Sequence, residues 1–139
     1  MTYEIPSGCT LDTKFMFTKL QVADLDKAAS FYTSVLGLIE MHRVEAAIGG
    51  RAVSEIVYMP TQPGGPMFIL AKFHDTNAPS KNETILGFAT GDTDALIARA
   101  EKAGGRMLEQ LPAGPHNPFL TTFIEDPEGH VLQSSQPSA

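Results

Sequence analysis

The 139-residue chain is 42% hydrophobic, with eight Phe and no Trp, a composition that can bury a core and suits one compact domain. Its formal charge is −6, from ten Lys+Arg against sixteen Asp+Glu, and no Lys/Arg cluster marks a nucleic-acid-binding face. Cys9 stands alone, no apolar run approaches the ~18 residues of a membrane span, and Glu4 and Pro6 replace the basic start of a secretion signal, so a soluble cytoplasmic protein without membrane contact is expected.

Residues 1–13 are polar and read as a loose arm. Phe15 to Val22 carries aromatics and β-branched residues in rough alternation and predicts a strand. Leu25, Ala28, Ala29, Tyr32, Val35 and Leu36 then recur at helical steps, with Asp24 placed to cap the first turn and Gly37 to stop the last. Leu38 to Glu45, Arg51 to Met59 and Met67 to Phe73 predict three strands, separated by Gly49-Gly50 and the Pro60–Pro66 turn. His74 to Glu83 is a polar connector. Beyond it the same grammar returns: a strand from Ile85 to Thr90, a helix capped by Asp92 and ended by Gly104-Gly105, then strands at Arg106–Leu111, Leu120–Glu125 and His130–Ser134, with 135–139 as a frayed tail.

Laying residue 85 on residue 17, an offset of 68, superposes Asp92 on Asp24, Asp94 on Asp26 and Gly105 on Gly37. Element order repeats even where identity is low. One domain over 14–134 is expected, with βαβββ modules at about 14–73 and 84–134.

Val22-Ala23-Asp24-Leu25-Asp26-Lys27-Ala28-Ala29-Ser30-Phe31-Tyr32, continued by Val35-Leu36-Gly37-Leu38, resembles the first-helix signature of the vicinal oxygen chelate superfamily. That group includes glyoxalase I, extradiol dioxygenases, fosfomycin-resistance transferases and bleomycin-binding proteins. Glu125-Asp126-Pro127-Glu128-Gly129-His130 resembles its final-hairpin turn, and Ala103-Gly104-Gly105 its second helix stop. The likeness covers Phe15 to Ser134. It implies an α+β fold in which the two modules form U-shaped sheets around a cavity, paired across a homodimer. It leaves the reaction open, because a fold does not determine its chemistry.

Members of the superfamily hold a divalent metal with His and Glu side chains from the first and last strand of each module. Counted from the motifs, those positions carry Phe17, Ile69, Ile85 and Gln133 here. Sliding the fourth strand by two brings only Met67 or Ala71. Hydrocarbon side chains donate nothing to an ion, and one glutamine amide is a poor ligand for a transition metal. The resemblance with this departure implies neither metal nor other cofactor. His42, His74, His116 and His130 form no spaced ligand pair, and His130 is expected to face solvent.

Alternation then lines one side of the sheets with Phe15, Phe17, Lys19, Met67, Ile69, Ala71, Ile85, Gly87, Ala89, Val131 and Gln133. Leu20, Val22, Phe68, Leu70, Leu86, Phe88 and Leu132 fall beneath the helices. Such an apolar lining suits a small organic ligand, with a collapsed core as the alternative. Lys19 could serve as base, amine nucleophile or anion anchor, or could extend its ammonium to solvent. Gln133 could orient a carbonyl or hydroxyl. Arg43 and Tyr58 are expected at the rim, where arginine suits a carboxylate. Glu55 and Glu109 are candidate bases whose facing the pattern leaves open. The expected functions are metal-independent lyase or isomerase chemistry on a small apolar or aromatic compound, non-catalytic binding of such a compound, or metal catalysis with unusual ligands such as His42.

Overall fold

In a computed structural model the described residues are 15–76 and 84–137. The elements follow as β1 (Phe17–Gln21), α1 (Leu25–Leu36), β2 (Glu40–Ile48), β3 (Arg51–Tyr58) and β4 (Met67–Phe73), then β5 (Ile85–Ala89), α2 (Thr93–Lys102), β6 (Arg106–Leu111), β7 (Phe119–Glu125) and β8 (Val131–Pro137). Each half is a βαβββ module. The two four-stranded sheets have matching orders, β1-β4-β3-β2 and β5-β8-β7-β6. β1 and β5 lie parallel to β4 and β8, and every other pairing is antiparallel. This is the α+β arrangement implied by the repeat. The arm at 1–13 lies outside the described residues, as does most of the connector.

Local chemistry sets the helix ends as expected. Asp24 accepts from the Lys27 N–H at 3.0 Å and Asp92 from the Ala95 N–H at 3.1 Å, satisfying donors that a first turn leaves unpaired. Gly37 takes φ of 69° and stops α1 in the left-handed region. Gly105 has a different duty. A Cβ there would fall 2.5 Å from the Glu125 carbonyl oxygen and 2.9 Å from the Phe31 ring. Only a residue without a side chain lets the second module approach α1 of the first so closely.

The predicted alternation is realised. Leu20, Val22, Ile56, Tyr58 and Leu70 of the first sheet, with Ile124 and Leu132 of the second, face the helices and join Phe31, Tyr32, Val35, Leu96 and Ala100 in one buried cluster. Phe68, Leu86 and Phe88 pack against it. The core therefore runs through both modules and does not divide between them. Burying each of the larger side chains contributes on the order of 2–3 kcal/mol.

The chain end departs from expectation. Ser135 and Gln136 do not fray: they pair with Thr121 and Leu120, extending β8 to Pro137. The Gln136 side-chain oxygen also accepts from the Thr93 N–H at 2.8 Å, at the start of α2. Polar residues make this strand because its ladder and a helix N-terminus, not burial, hold it.

Candidate functional site

Each sheet has a second face, turned away from the helices and called the far face here. Register places Phe17, Lys19 and Gln21 of β1 beside Met67, Ile69 and Ala71 of β4, which in turn neighbour Val57 and Glu55 of β3. All of these share the far face of the first sheet. Val53, Ala71 and Phe73 form a small buried cluster there, separate from the main core. The Arg51 guanidinium lies 3.9 Å from the Phe73 ring centroid.

Within this apolar surface stands an ion pair. The Lys19 ammonium donates to Glu55 Oε2 at 2.5 Å, with Lys19 30% and Glu55 9% exposed. Lys19 Nζ also lies 5.5 Å from the Phe17 ring centroid, within cation–π range. Strand parity had left the facing of Glu55 open, and the β3–β4 register decides it. Lys19 does extend toward the surface, but it ends on a carboxylate instead of in water. Such a pair loses part of its hydration and is kept only where geometry compensates the loss.

The second sheet presents a plainer far face. Ile85 and Gly87 of β5 neighbour Val131 and Gln133 of β8, and Gln133 neighbours Phe123 of β7, which pairs with Glu109. By register, Gly87 stands where Lys19 does and Thr121 where Glu55 does. The polar pair of the first module thus has no counterpart in the second.

Arg43 and Tyr58, expected at the rim, are placed elsewhere. Arg43 pairs with Ile56 and faces the helix side, where it bonds Glu40 at 2.6 Å and Asp26 at 3.0 Å. Those carboxylates raise the pKa of its guanidinium further. Tyr58 is fully buried on the helix side with its ring 6.0 Å from that of Phe68. A one-residue change of parity carries a side chain to the opposite face, and both positions fall on the wrong parity. Met67 keeps its place on β4 and also borders a groove of about 420 Å³ at the seam of the modules, lined by Leu36, Leu38, Phe68, Leu86 and Phe88 among others.

The donors at the positions implied for a divalent metal are the chemical test of that ion. Phe17, Ile69 and Ile85 have no lone pair to offer, and Gln133 has only a neutral amide. Among the described residues, no three His, Cys, Asp or Glu side chains are grouped to hold an ion. These residues do not fit a metal, and no chemical step is assigned to one.

One polar cluster was missed. His130 does not face solvent: it is 4% exposed, with Nδ1 2.8 Å from Asp126 Oδ2 and Nε2 3.1 Å from the Gln21 carbonyl oxygen. Asp126 Oδ2 also accepts from the Tyr32 hydroxyl at 3.0 Å, while Asp126 Oδ1 accepts from the Glu128 and His130 N–H groups at 2.9 Å. Glu128 accepts from the Ala23 and Asp24 N–H groups at 2.7 and 2.9 Å. The Asp126–His130 turn of module two thereby grips the β1–α1 junction of module one. Burial and then the Asp126 charge push the Tyr32 hydroxyl far above the ordinary tyrosine range. The Asp-Pro-Glu-Gly-His string was legible as a turn; its partners, about 100 positions earlier, were not.

Comparison with known proteins follows the same line. The sequence profile of the Glyoxalase/Bleomycin resistance protein/Dioxygenase superfamily matches residues 14–133, and the chain belongs to that family. It is 24% identical over 125 residues to a lactoylglutathione lyase of Neisseria meningitidis, an alignment covering 88% of this chain and 90% of the relative. A glyoxalase family protein of Bacillus cereus superposes with a TM-score of 0.74 at 18% identity, covering 98% of this chain and 100% of that one. Glyoxalase I of Leishmania major gives 0.70 at 16% identity, covering 90% and 87%. At those identities the structures attest the fold alone. No helix among the described residues is long and apolar enough to cross a membrane.

Proposed function

We propose that the chain binds a small, largely apolar organic compound on the far faces of its sheets without a metal, gripping a carbonyl, hydroxyl or carboxylate of that compound with Lys19, Glu55 and Gln133. The contact between Lys19 and Glu55 amid Val53, Val57, Ile69 and Ala71 carries this reading. A few polar groups set in an apolar wall are the usual make-up of a small-molecule site. Phe17, Met67, Ile69 and Ile85 would supply the apolar contact.

The chemistry open to this set is metal-independent and of lyase or isomerase type. Glu55 would take a proton from carbon beside a carbonyl, Lys19 would stabilise the charge developing on its oxygen, and Gln133 would orient it. The family includes a lyase relative at 24% identity, which supports this direction. One observation favours non-catalytic binding as a second reading: Lys19 and Glu55 already neutralise each other. In either reading a homodimer is proposed, because Phe17, Ile48, Ile85, Leu111 and Phe119 are exposed with far-face parity and a second copy would cover them.

The test offers EDTA-treated protein a panel of small aromatic and aliphatic carbonyl compounds, read by calorimetry and by mass spectrometry of the recovered compounds. Binding is expected to survive EDTA and to weaken by about tenfold or more in Lys19→Met. Chemically altered compound establishes the enzyme, and unaltered compound the binder. Affinity indifferent to both Lys19→Met and Glu55→Gln removes the site.

A further inference from the structure

The hydrogen bonds around His130 define its charge. Its Nε2 faces the Gln21 carbonyl oxygen, which can only accept, so Nε2 must carry a proton. Its Nδ1 faces Asp126 Oδ2, and the two oxygens of that carboxylate already take the Tyr32 hydroxyl and two backbone N–H groups. A carboxyl receiving so many donors is ionised, so Nδ1 must carry a proton as well. Either neutral tautomer would set two lone pairs against each other in a buried place. Only the imidazolium satisfies both contacts.

We propose that His130 is held as an imidazolium at neutral pH and acts as a pH-sensitive joint that pins the end of β1 in module one to the final turn of module two. β1 is an edge strand, paired with β4 on one side, and the Gln21 carbonyl is gripped from the other module. Loss of one His130 proton leaves the Asp126 contact as the stronger of the two, since it is charge-assisted, and releases Gln21. The groups facing His130 are Asp126 and Glu128 from its own turn, Tyr32 through Asp126 from α1, and from β1 only the uncharged backbone of Gln21. The hydrogen bond to Asp126, opposed by burial and aided by the charges of Asp126 and Glu128, raises the His130 pKa. Lys19 lies two residues before Gln21 on the same strand, so the joint also holds that side chain in place; this consequence rests on the ligand reading above, whereas the joint does not.

Nitrogen-15 NMR titration of His130 in the intact protein is the direct test. Both ring nitrogens are expected to be protonated at neutral pH, with a midpoint above the ordinary histidine value of about 6.5. A single neutral tautomer at pH 7 overturns the proposal whatever ligand the protein binds. Amide exchange supplies the second arm, corrected for its intrinsic pH dependence. Protection of β1 is expected to fall in the wild type as pH passes the measured midpoint, and to show no such step in His130→Asn. Protection that stays level through the midpoint in the wild type also overturns it, even where the variant proves too unstable to compare.

Discussion

Lys19 and Glu55 meet across a strand to which neither belongs. Lys19 lies on β1 and Glu55 on β3, and their 2.5 Å contact passes over β4, where Lys19 neighbours Ile69 and Glu55 neighbours Ala71. The small Ala71 leaves the carboxylate room to reach the ammonium. Glu55 is the more buried partner, so the two ends of the pair are not equivalent. Lys19→Met strands a buried carboxylate and is expected to destabilise the fold by about 1–3 kcal/mol in urea unfolding. Replacing both, as Lys19→Met with Glu55→Leu, is expected to recover most of that loss, because a buried ion pair often exchanges for hydrocarbon at little cost. A double variant weaker than the single one would refute the asymmetry.

The turn that joins the modules responds to acid. Burial opposes the charge on Asp126, yet the hydrogen bond and charge of His130, its backbone N–H and the Tyr32 hydroxyl outweigh it and hold the carboxyl below the usual carboxylate value. A folded value beneath the unfolded one means that the stabilisation is complete above about pH 4 and is lost as pH falls through the lowered folded value. Melting temperatures followed downward from about pH 5 should therefore drop more steeply in the wild type than in Asp126→Asn. Parallel curves would show that Asp126 is not the group responsible.

His130 contributes at the opposite end. Its raised pKa places its stabilising effect fully below the ordinary histidine value of about 6.5, and the effect fades as pH rises through the folded value. The melting advantage of the wild type over His130→Asn is expected to be largest in mild acid and to shrink in mild alkali.

Tyr32→Phe isolates one bond of the same cluster. The ring keeps its packing against Phe31 at 5.4 Å and Phe68 at 5.2 Å, and only the hydroxyl donation to Asp126 is lost. A destabilisation of about 1 kcal/mol by chemical denaturation is expected, with no change of fold by circular dichroism.

Gly105→Ala should cost more than its size suggests. Its Cβ would meet backbone at Glu125 and the Phe31 ring at once; Glu125 is fixed in its sheet between Arg106 and Val131, and Phe31 is fixed in the core shared by the modules. A loss of about 1–3 kcal/mol is expected, against little change for Gly114→Ala, where nothing lies within 4 Å of the added carbon.

Chelation offers a contrasting result. With Phe17, Ile69, Ile85 and Gln133 at the implied ligand positions, EDTA is expected to leave the melting temperature unchanged, and elemental analysis to find no stoichiometric zinc, nickel or iron. A stoichiometric ion removed together with stability would mean that other side chains hold it.

Chain-local chemistry was sufficient for much of this protein. Asp24 and Asp92 announced two helix starts, Gly37 a helix stop, and alternation separated Leu20, Val22, Leu70 and Leu132 from Lys19, Ile69 and Gln133, because these features depend on residues a few positions apart. Tertiary structure alone settled that Glu55 faces Lys19, that Arg43 and Tyr58 turn toward the helices, and that His130 is buried between Asp126 and Gln21. Those outcomes depend on strand register and on the approach of two modules. The partners lie 36 positions apart for Lys19 and Glu55 and 109 for His130 and Gln21, and no local periodicity records which side chain the folded chain brings opposite another.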